Sequence, residues 1–200
     1  MKNILIATKN NDKYKIVHYL LEKLCFPKNK NFQYFSLNDI NYNGPEEKEE
    51  GSLTQRAEIK AKNVKNYLDL HNKNIYEYII GVDDGIFIKS KLRENIKDYV
   101  KKILYDNYLE ENEEFSFSRA YCILSKENKI FHTITNVPYI FKSKKNAIIK
   151  ENSYPLSQVS VPKGYDKSLS DLTGEEGYLY CYNYSKNNLE ELIKEINSYV

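Results

Sequence analysis

The chain has 200 residues, enough for one ordinary domain or two small lobes around a cleft, with a core that needs no metal or disulfide staple. Its 30 basic and 28 acidic residues leave a net charge of +2, which excludes the strongly basic surface of a general nucleic-acid binder. Three cysteines, Cys25, Cys122 and Cys181, are odd in number, far apart and without a C-x-x-C pair, so a reducing cytoplasm is expected rather than a disulfide framework. The first apolar stretch is too short for a signal peptide, and no apolar run reaches membrane-spanning length, so no membrane partner is expected.

NILIAT, residues 3–8, reads as a short apolar strand. KNNDK follows as a polar turn, and YKIVHYLLEKL carries apolar residues at helical spacing. FQYFSL, residues 32–37, reads as a second strand. NDINYNGPEEKEEGS is an acidic, turn-rich loop. In LTQRAEIKAKNVKNYLDL, Leu53, Ala57, Ala61, Val64 and Leu68 share one helical face. Residues 76–82 form a strand buried on both faces, expected to end at Asp83 and Asp84. Farther on, NIKDYVKKILYDNYLEE reads as an amphipathic helix, and SRAYCILS with KIFHTITNVPYIF as a hairpin around KEN. NLEELIKEINSYV closes the chain as a helix. The alternating tyrosines 178, 180, 182 and 184 suggest a strand with one face stacked. The order of elements predicts an α/β protein with a mixed, twisted sheet flanked by helices, undivided over residues 1–200.

Three stretches could carry chemistry. After the first strand, Thr8, Asn10 and Lys13 surround a helix N-terminus, whose free N–H groups and positive dipole end suit an anion, most naturally phosphate. An ordinary capped turn would look the same. The acids Glu46, Glu47, Glu49 and Glu50 precede the second helix, where negative charge is favourable in any case; one of them is a candidate metal ligand. Adjacent carboxylates at Asp83 and Asp84 gain a strand nothing unless something there binds positive charge. A hard divalent cation such as Mg2+ shares its sphere between one or two carboxylates, waters and substrate phosphates. Ligands of open α/β sheets sit outside the carboxyl ends of the strands. The three histidines have no ligand spacing, and only three arginines are present, which argues against an extended bidentate phosphate surface.

Taken in order, these pieces resemble the inosine triphosphate pyrophosphatase superfamily, in the branch of the inosine/xanthosine triphosphatases. The opening ATKNNDK is similar to that family's T-G-N-x-x-K loop, with Lys9 where the family has Gly. GPEEKEEGSLTQRAEIKAKNV is similar to its acidic loop and helix, VDDGIF to its acidic strand signature, and VPKGYDKSLSDLTGEEG to its P-x-G-Y segment. The resemblance implies an ITPase-like fold with a cleft between two lobes. It implies hydrolysis of non-standard purine nucleoside triphosphates (ITP, XTP, dITP) to the monophosphate and pyrophosphate, with Mg2+ and as a homodimer. By position it implies Thr8, Lys9, Asn10 and Lys13 at the phosphates and Asp83 as metal-binding and catalytic. Lys13 acts beside it, Glu49 is the second metal ligand ahead of Glu47 or Glu50, and Tyr154 lies against the base. GYLYCYN stands where the family has K-N-x-x-S-H-R, so the phosphate half is kept and the base-reading half rewritten. A non-catalytic nucleotide-binding or scaffold relative on the same fold is the alternative.

Overall fold

The structure, a computed structural model, describes residues 2–24, 32–45, 50–73, 75–93, 96–143 and 156–198, with side chains omitted at 2, 97 and 98. It divides into two compact units. Met1–Asp83, Arg119–Thr135 and Lys186–Val200 make the first; Asp84–Ser118 and Asn136–Ser185 make the second.

In the first unit, strand β1 (Lys2–Ala7) lies between β2 (Phe32–Ser36) and β3 (Tyr76–Ile88), parallel to both. Its Ile4, Leu5 and Ile6 are wholly buried, as a parallel strand covered on both faces requires. Helix α1 (Asn11–Lys23) opens on Asn10, whose side chain accepts from the Lys13 N–H at 2.9 Å, and it buries Val17, Leu20 and Leu21. Helix α2 (Leu53–Leu70) starts with a capping box. Ser52 Oγ accepts from the Gln55 N–H at 3.3 Å and Gln55 Oε1 accepts from the Ser52 N–H at 2.8 Å. Gly51 precedes it at φ 89°, and a Cβ there would meet Gln55 Oε1 at 2.8 Å, so this cap needs a glycine. The face of Leu53, Ala57, Ala61, Val64 and Leu68 is buried, as the spacing predicts.

Beyond Asp83, β3 continues through the second unit to Ile88 and turns at Lys89 and Ser90, both at positive φ, into β4 (Lys91–Arg93), antiparallel to it. The two aspartates are therefore inside a thirteen-residue strand rather than at its tip. Helix α3 (Ile96–Tyr105), strands β5 (Glu114–Ser125) and β6 (Ile130–Phe141), strand β7 (Ser160–Pro162), a 3-10 turn (Leu169–Asp171) and helix α4 (Gly174–Asn197) complete the order. Strands β5 and β6 are neighbours joined by residues 126–129, the expected hairpin. The sheet runs β2-β1-β3-β5-β6-β7, with β4 on β3. Parallel and antiparallel pairs coexist, so the sheet is mixed and flanked by helices, the α/β class that the element order predicts.

Within the second unit Phe115, Tyr139 and Tyr180 form an aromatic core. The Tyr139 ring lies 6.0 Å from Phe115 and 5.5 Å from Tyr180. The Tyr180 hydroxyl donates to the Pro138 carbonyl and accepts from the Lys163 N–H. The tyrosines expected on a strand are on α4. Thr173 and Glu176 exchange hydrogen bonds at its start, and this local cap outweighs the period-two pattern. Tyr180 and Tyr184, four apart, pack along that helix with tilted rings 5.0 Å apart.

Candidate functional site

The site grows from the parallel pairing of β1 and β3. Their register sets Ala7 beside Gly81, so both strands deliver their next residues, Thr8 and Val82, to the same edge of the first unit. After Ala7 the chain leaves the sheet. Thr8 is buried, and its Oγ1 accepts from the Asn10 N–H at 3.1 Å. Asn10 in turn caps α1. The carbonyl of Thr8 accepts from Leu37 N–H, and that of Lys9 from Asn38 Nδ2 at 2.9 Å, which fixes the turn against the end of β2. Lys9 itself is exposed, with its ammonium 5.8 Å from the centre of the Tyr42 ring. Lys13 is on the first turn of α1 with its backbone N–H on Asn10. The structure thus brings Thr8, Lys9, Asn10 and Lys13 together around one helix N-terminus.

Asp83 is held from the other side. At Gly81, α2 comes so close that a Cβ would stand 1.9 Å from the Ala57 carbonyl oxygen. Ala57 and Ala61 on the helix and Gly81 on the strand permit this approach. It brings two cations of α2, Arg56 and Lys60, onto the carboxylate. Arg56 Nε donates to Asp83 Oδ2 at 2.6 Å, and Lys60 Nζ donates to Oδ1 and, at 3.4 Å, to the Val82 carbonyl. Arg56 is 6% exposed and Asp83 8%, so this is a buried charge cluster with little solvent screening. Asp84, next along the strand, is half-buried.

Sequence reading missed Arg56 and Lys60. The available signal was spacing: they are four residues apart, flank the Ala57–Ala61 face, and Arg56 is one of only three arginines. Glu49 and Tyr154, expected at the metal and the base, lie outside the described residues, as does Glu47. Glu50 is described and exposed.

Among the described residues Asp83 is the one carboxylate of this cluster, and both of its oxygens accept from cations, Arg56 and Lys60, so the described donors by themselves do not make a Mg2+ site. Among the described residues no three His, Cys, Asp or Glu side chains gather as a metal cage.

Other titratable groups of the first unit serve packing. Glu58 meets Lys62 at 2.5 Å and His132 Nε2 at 3.0 Å, and the hydrogen bond from Lys62 holds its carboxyl below the usual range. Burial pushes the Cys122 thiol up to about 12, too high for a nucleophile at neutral pH. Among the described residues no helix is long and apolar enough to cross a membrane.

No family model and no curated protein matches the chain in sequence. Solved structures do match it in fold. A nucleoside-triphosphatase / dITP/XTP pyrophosphatase from Mycobacterium abscessus is similar over 92% of this chain and 95% of its own, at 14% identity and a TM-score of 0.59. The Ham1 protein of Staphylococcus aureus is similar over the whole of both chains, at 11% identity and a TM-score of 0.60. A HAM1 protein from Coxiella burnetii is similar over 98% of this chain and all of its own, at 12% identity and a TM-score of 0.60. The class is therefore a mixed-sheet α/β protein with a capped, basic turn after its first strand. More particularly, the fold is that of the Ham1 proteins and dITP/XTP pyrophosphatases, as the sequence resemblance implies.

Proposed function

We propose that this chain is a nucleoside triphosphate pyrophosphatase acting on non-standard purine nucleotides of the ITP, XTP and dITP kind. The observation that carries the reading is the placement of two groups of side chains where β1 ends beside the middle of β3. A helix N-terminus with Thr8, Asn10 and Lys13 stands in the same unit as the buried Asp83, Arg56 and Lys60 cluster. The fold, shared with proteins named as such pyrophosphatases, supports it.

In this reading the α1 N-terminus, Thr8, Lys9, Asn10 and Lys13 hold phosphate oxygens. Arg56 and Lys60 neutralise charge that builds on the departing pyrophosphate. Asp83 keeps lone pairs beyond the two it gives to these cations, and they orient the attacking water. The water oxygen bonds to the α-phosphorus, the bond from that phosphorus to the α,β-bridging oxygen breaks, and pyrophosphate leaves with the electron pair. The water proton passes to solvent or to pyrophosphate. Mg2+ enters as part of the Mg–nucleotide substrate rather than from a protein cage. Catalysis is by positioning and charge neutralisation, which suits a site without a Ser or His nucleophile. A cytoplasmic homodimer completes the proposal.

The rewritten GYLYCYN segment lies on α4, so base selection rests on residues other than the family's Lys and Ser-His-Arg. The cations seated on Asp83 favour a second reading, a nucleotide-binding protein without turnover. One panel separates the two. Pyrophosphate release with Mg2+ is measured for ITP, XTP, dITP, GTP, ATP, UTP and CTP, with Asp83→Asn as the blank. Release above the blank, selective for ITP, XTP or dITP, is expected. Binding of nucleotide with no release from any of them would favour the second reading.

A further inference from the structure

We propose that the second unit carries an anion site of its own, a cradle of Lys89, Arg93 and Lys102 on the rings of Tyr99 and Tyr108, which takes a phosphate chain such as tripolyphosphate or the triphosphate of a nucleotide. It shares no residue with the turn and the Asp83 cluster described above, and it stands whether or not the chain hydrolyses nucleotides. The cradle forms where the β3–β4 hairpin meets α3 and the residues after it, all within Asp84–Ser118. Arg93, at the end of β4, places its guanidinium 5.3 Å from the centre of the Tyr99 ring. Lys102, three residues along α3 from Tyr99, places its ammonium 4.9 Å from the same centre. Lys89, at the hairpin tip, stands 5.1 Å from the centre of the Tyr108 ring. The two rings meet edge to face at 5.5 Å, and Arg93 Nη2 donates to the Tyr108 hydroxyl at 3.4 Å. The Tyr108 N–H donates to the Lys102 carbonyl at 3.1 Å, which ties that ring to the end of the helix. Three cations therefore gather on one aromatic pair.

A ring and a carboxylate hold a cation differently. A carboxylate cancels its charge; a ring fixes it in place and leaves the charge standing. Arg93 Nε is buried and has no acceptor among the described residues. Counting every residue from 89 to 108, side chain described or not, six are basic and three, Glu94, Asp98 and Asp106, are acidic, so the segment is positive with all its acids included. Cations crowded in this way repel one another, and a multiply charged anion offsets that cost. The planar guanidinium suits phosphate oxygens. The ring faces already carry cations, so the chemistry favours phosphate over a stacked base.

The turn that delivers Lys89 is a second, independent sign. Ile88 pairs with Lys91, so Lys89 and Ser90 are the two residues of a hairpin turn, at φ 50° and 60°. Such turns favour Asn-Gly, because most side chains resist positive φ. Here a lysine takes the strained position, and its ammonium reaches Tyr108. A local rule broken in this way is expected where function outweighs stability.

Calorimetry on the full chain tests this without turnover. Tripolyphosphate is titrated into the Lys13→Ala chain, so that the turn of the proposed function contributes little. Binding is expected, weakened at least tenfold by Arg93→Gln and by the double substitution Lys89→Asn with Ser90→Gly. The double substitution should at the same time raise the melting temperature, since Asn-Gly suits the turn, and its loss of affinity is then separate from folding. No binding to the Lys13→Ala chain would overturn the proposal, as would an affinity that these substitutions leave unchanged in folded protein. A lower melting temperature of the double variant would remove the strained turn and overturn it too. So would hexaglutamate or a thymidine oligonucleotide binding as tightly as tripolyphosphate, which would make the cradle a general basic surface or a nucleic-acid surface. If the expected results hold but no nucleotide is hydrolysed, the proposed enzyme function fails and the cradle stands.

Discussion

Arg56 on α2 and Asp83 on β3 are 27 residues apart in sequence and 2.6 Å apart in space, joined Nε to Oδ2 in a buried setting. Removing one partner of such a pair strands the other without solvation. Arg56→Ala is expected to cost about 3–5 kcal/mol of stability, read as a lower urea midpoint at unchanged slope. A cost below about 1 kcal/mol, the range of exposed pairs, would mean that the pair is solvated in solution.

Gly81 sets the distance on which that pair depends. Gly81→Ala puts a methyl group against the backbone oxygen of Ala57, which has no rotamer with which to yield. Overpacking against backbone exceeds the usual core penalty, so a loss of about 3 kcal/mol or more is expected. The variant should also lose phosphate affinity, because α2 carries Arg56 and Lys60 away from Asp83. A thermal melt and a pyrophosphate titration check both; an unshifted melting temperature would contradict the close approach.

Two helix caps separate function from stability. Asn10→Ala and Ser52→Ala each remove an N-cap side chain and should each cost about 1 kcal/mol. Only Asn10→Ala, with Lys13→Ala, is expected to raise KM for a triphosphate, since in the proposed function that cap shapes the turn that holds phosphate. Equal effects of the Asn10 and Ser52 substitutions on KM would remove the turn from the site.

Acid sensitivity follows from α4. The Thr173 N–H donates to the Glu176 carboxylate at 2.8 Å, and this bond, with that of the Thr173 hydroxyl, holds Glu176 below its ordinary 4.5. A carboxyl depressed in the folded state contributes stability above its unfolded value and loses it as pH falls through the folded one. The gap in melting temperature between wild type and Glu176→Gln should therefore be widest near neutral pH and close below 4.5. A gap independent of pH would show that the charge has no part in the cap.

Burial likewise protects Cys122. Its thiol, pushed up to about 12, should resist iodoacetamide at pH 8 in the native chain and react once urea unfolds it, as peptide mapping would show. Rapid native labelling would place it outside the core.

The sequence made some of this architecture legible and hid the rest for physical reasons. The Ile4–Leu5–Ile6 run and the five-residue face of α2 are read directly, because burial repeats with the period of the element. The capped turn after β1 is legible too, since cap and helix are local. The continuation of β3 through Asp83 and Asp84 is not. A charged residue inside a strand reads as an end until its partners are known, and those partners are 27 and 23 residues back, on another element. The tyrosines of α4 mislead in the same way: their alternation mimics a strand, while the Thr173–Glu176 cap upstream starts a helix.

The most direct measurement of the central claim is the product ratio from ITP with Mg2+, followed by phosphorus NMR on the wild-type chain. Attack at the α-phosphorus predicts IMP and pyrophosphate in equal amounts and no IDP. IDP with orthophosphate would place attack at the γ-phosphorus, and unchanged ITP with folded protein would contradict turnover itself.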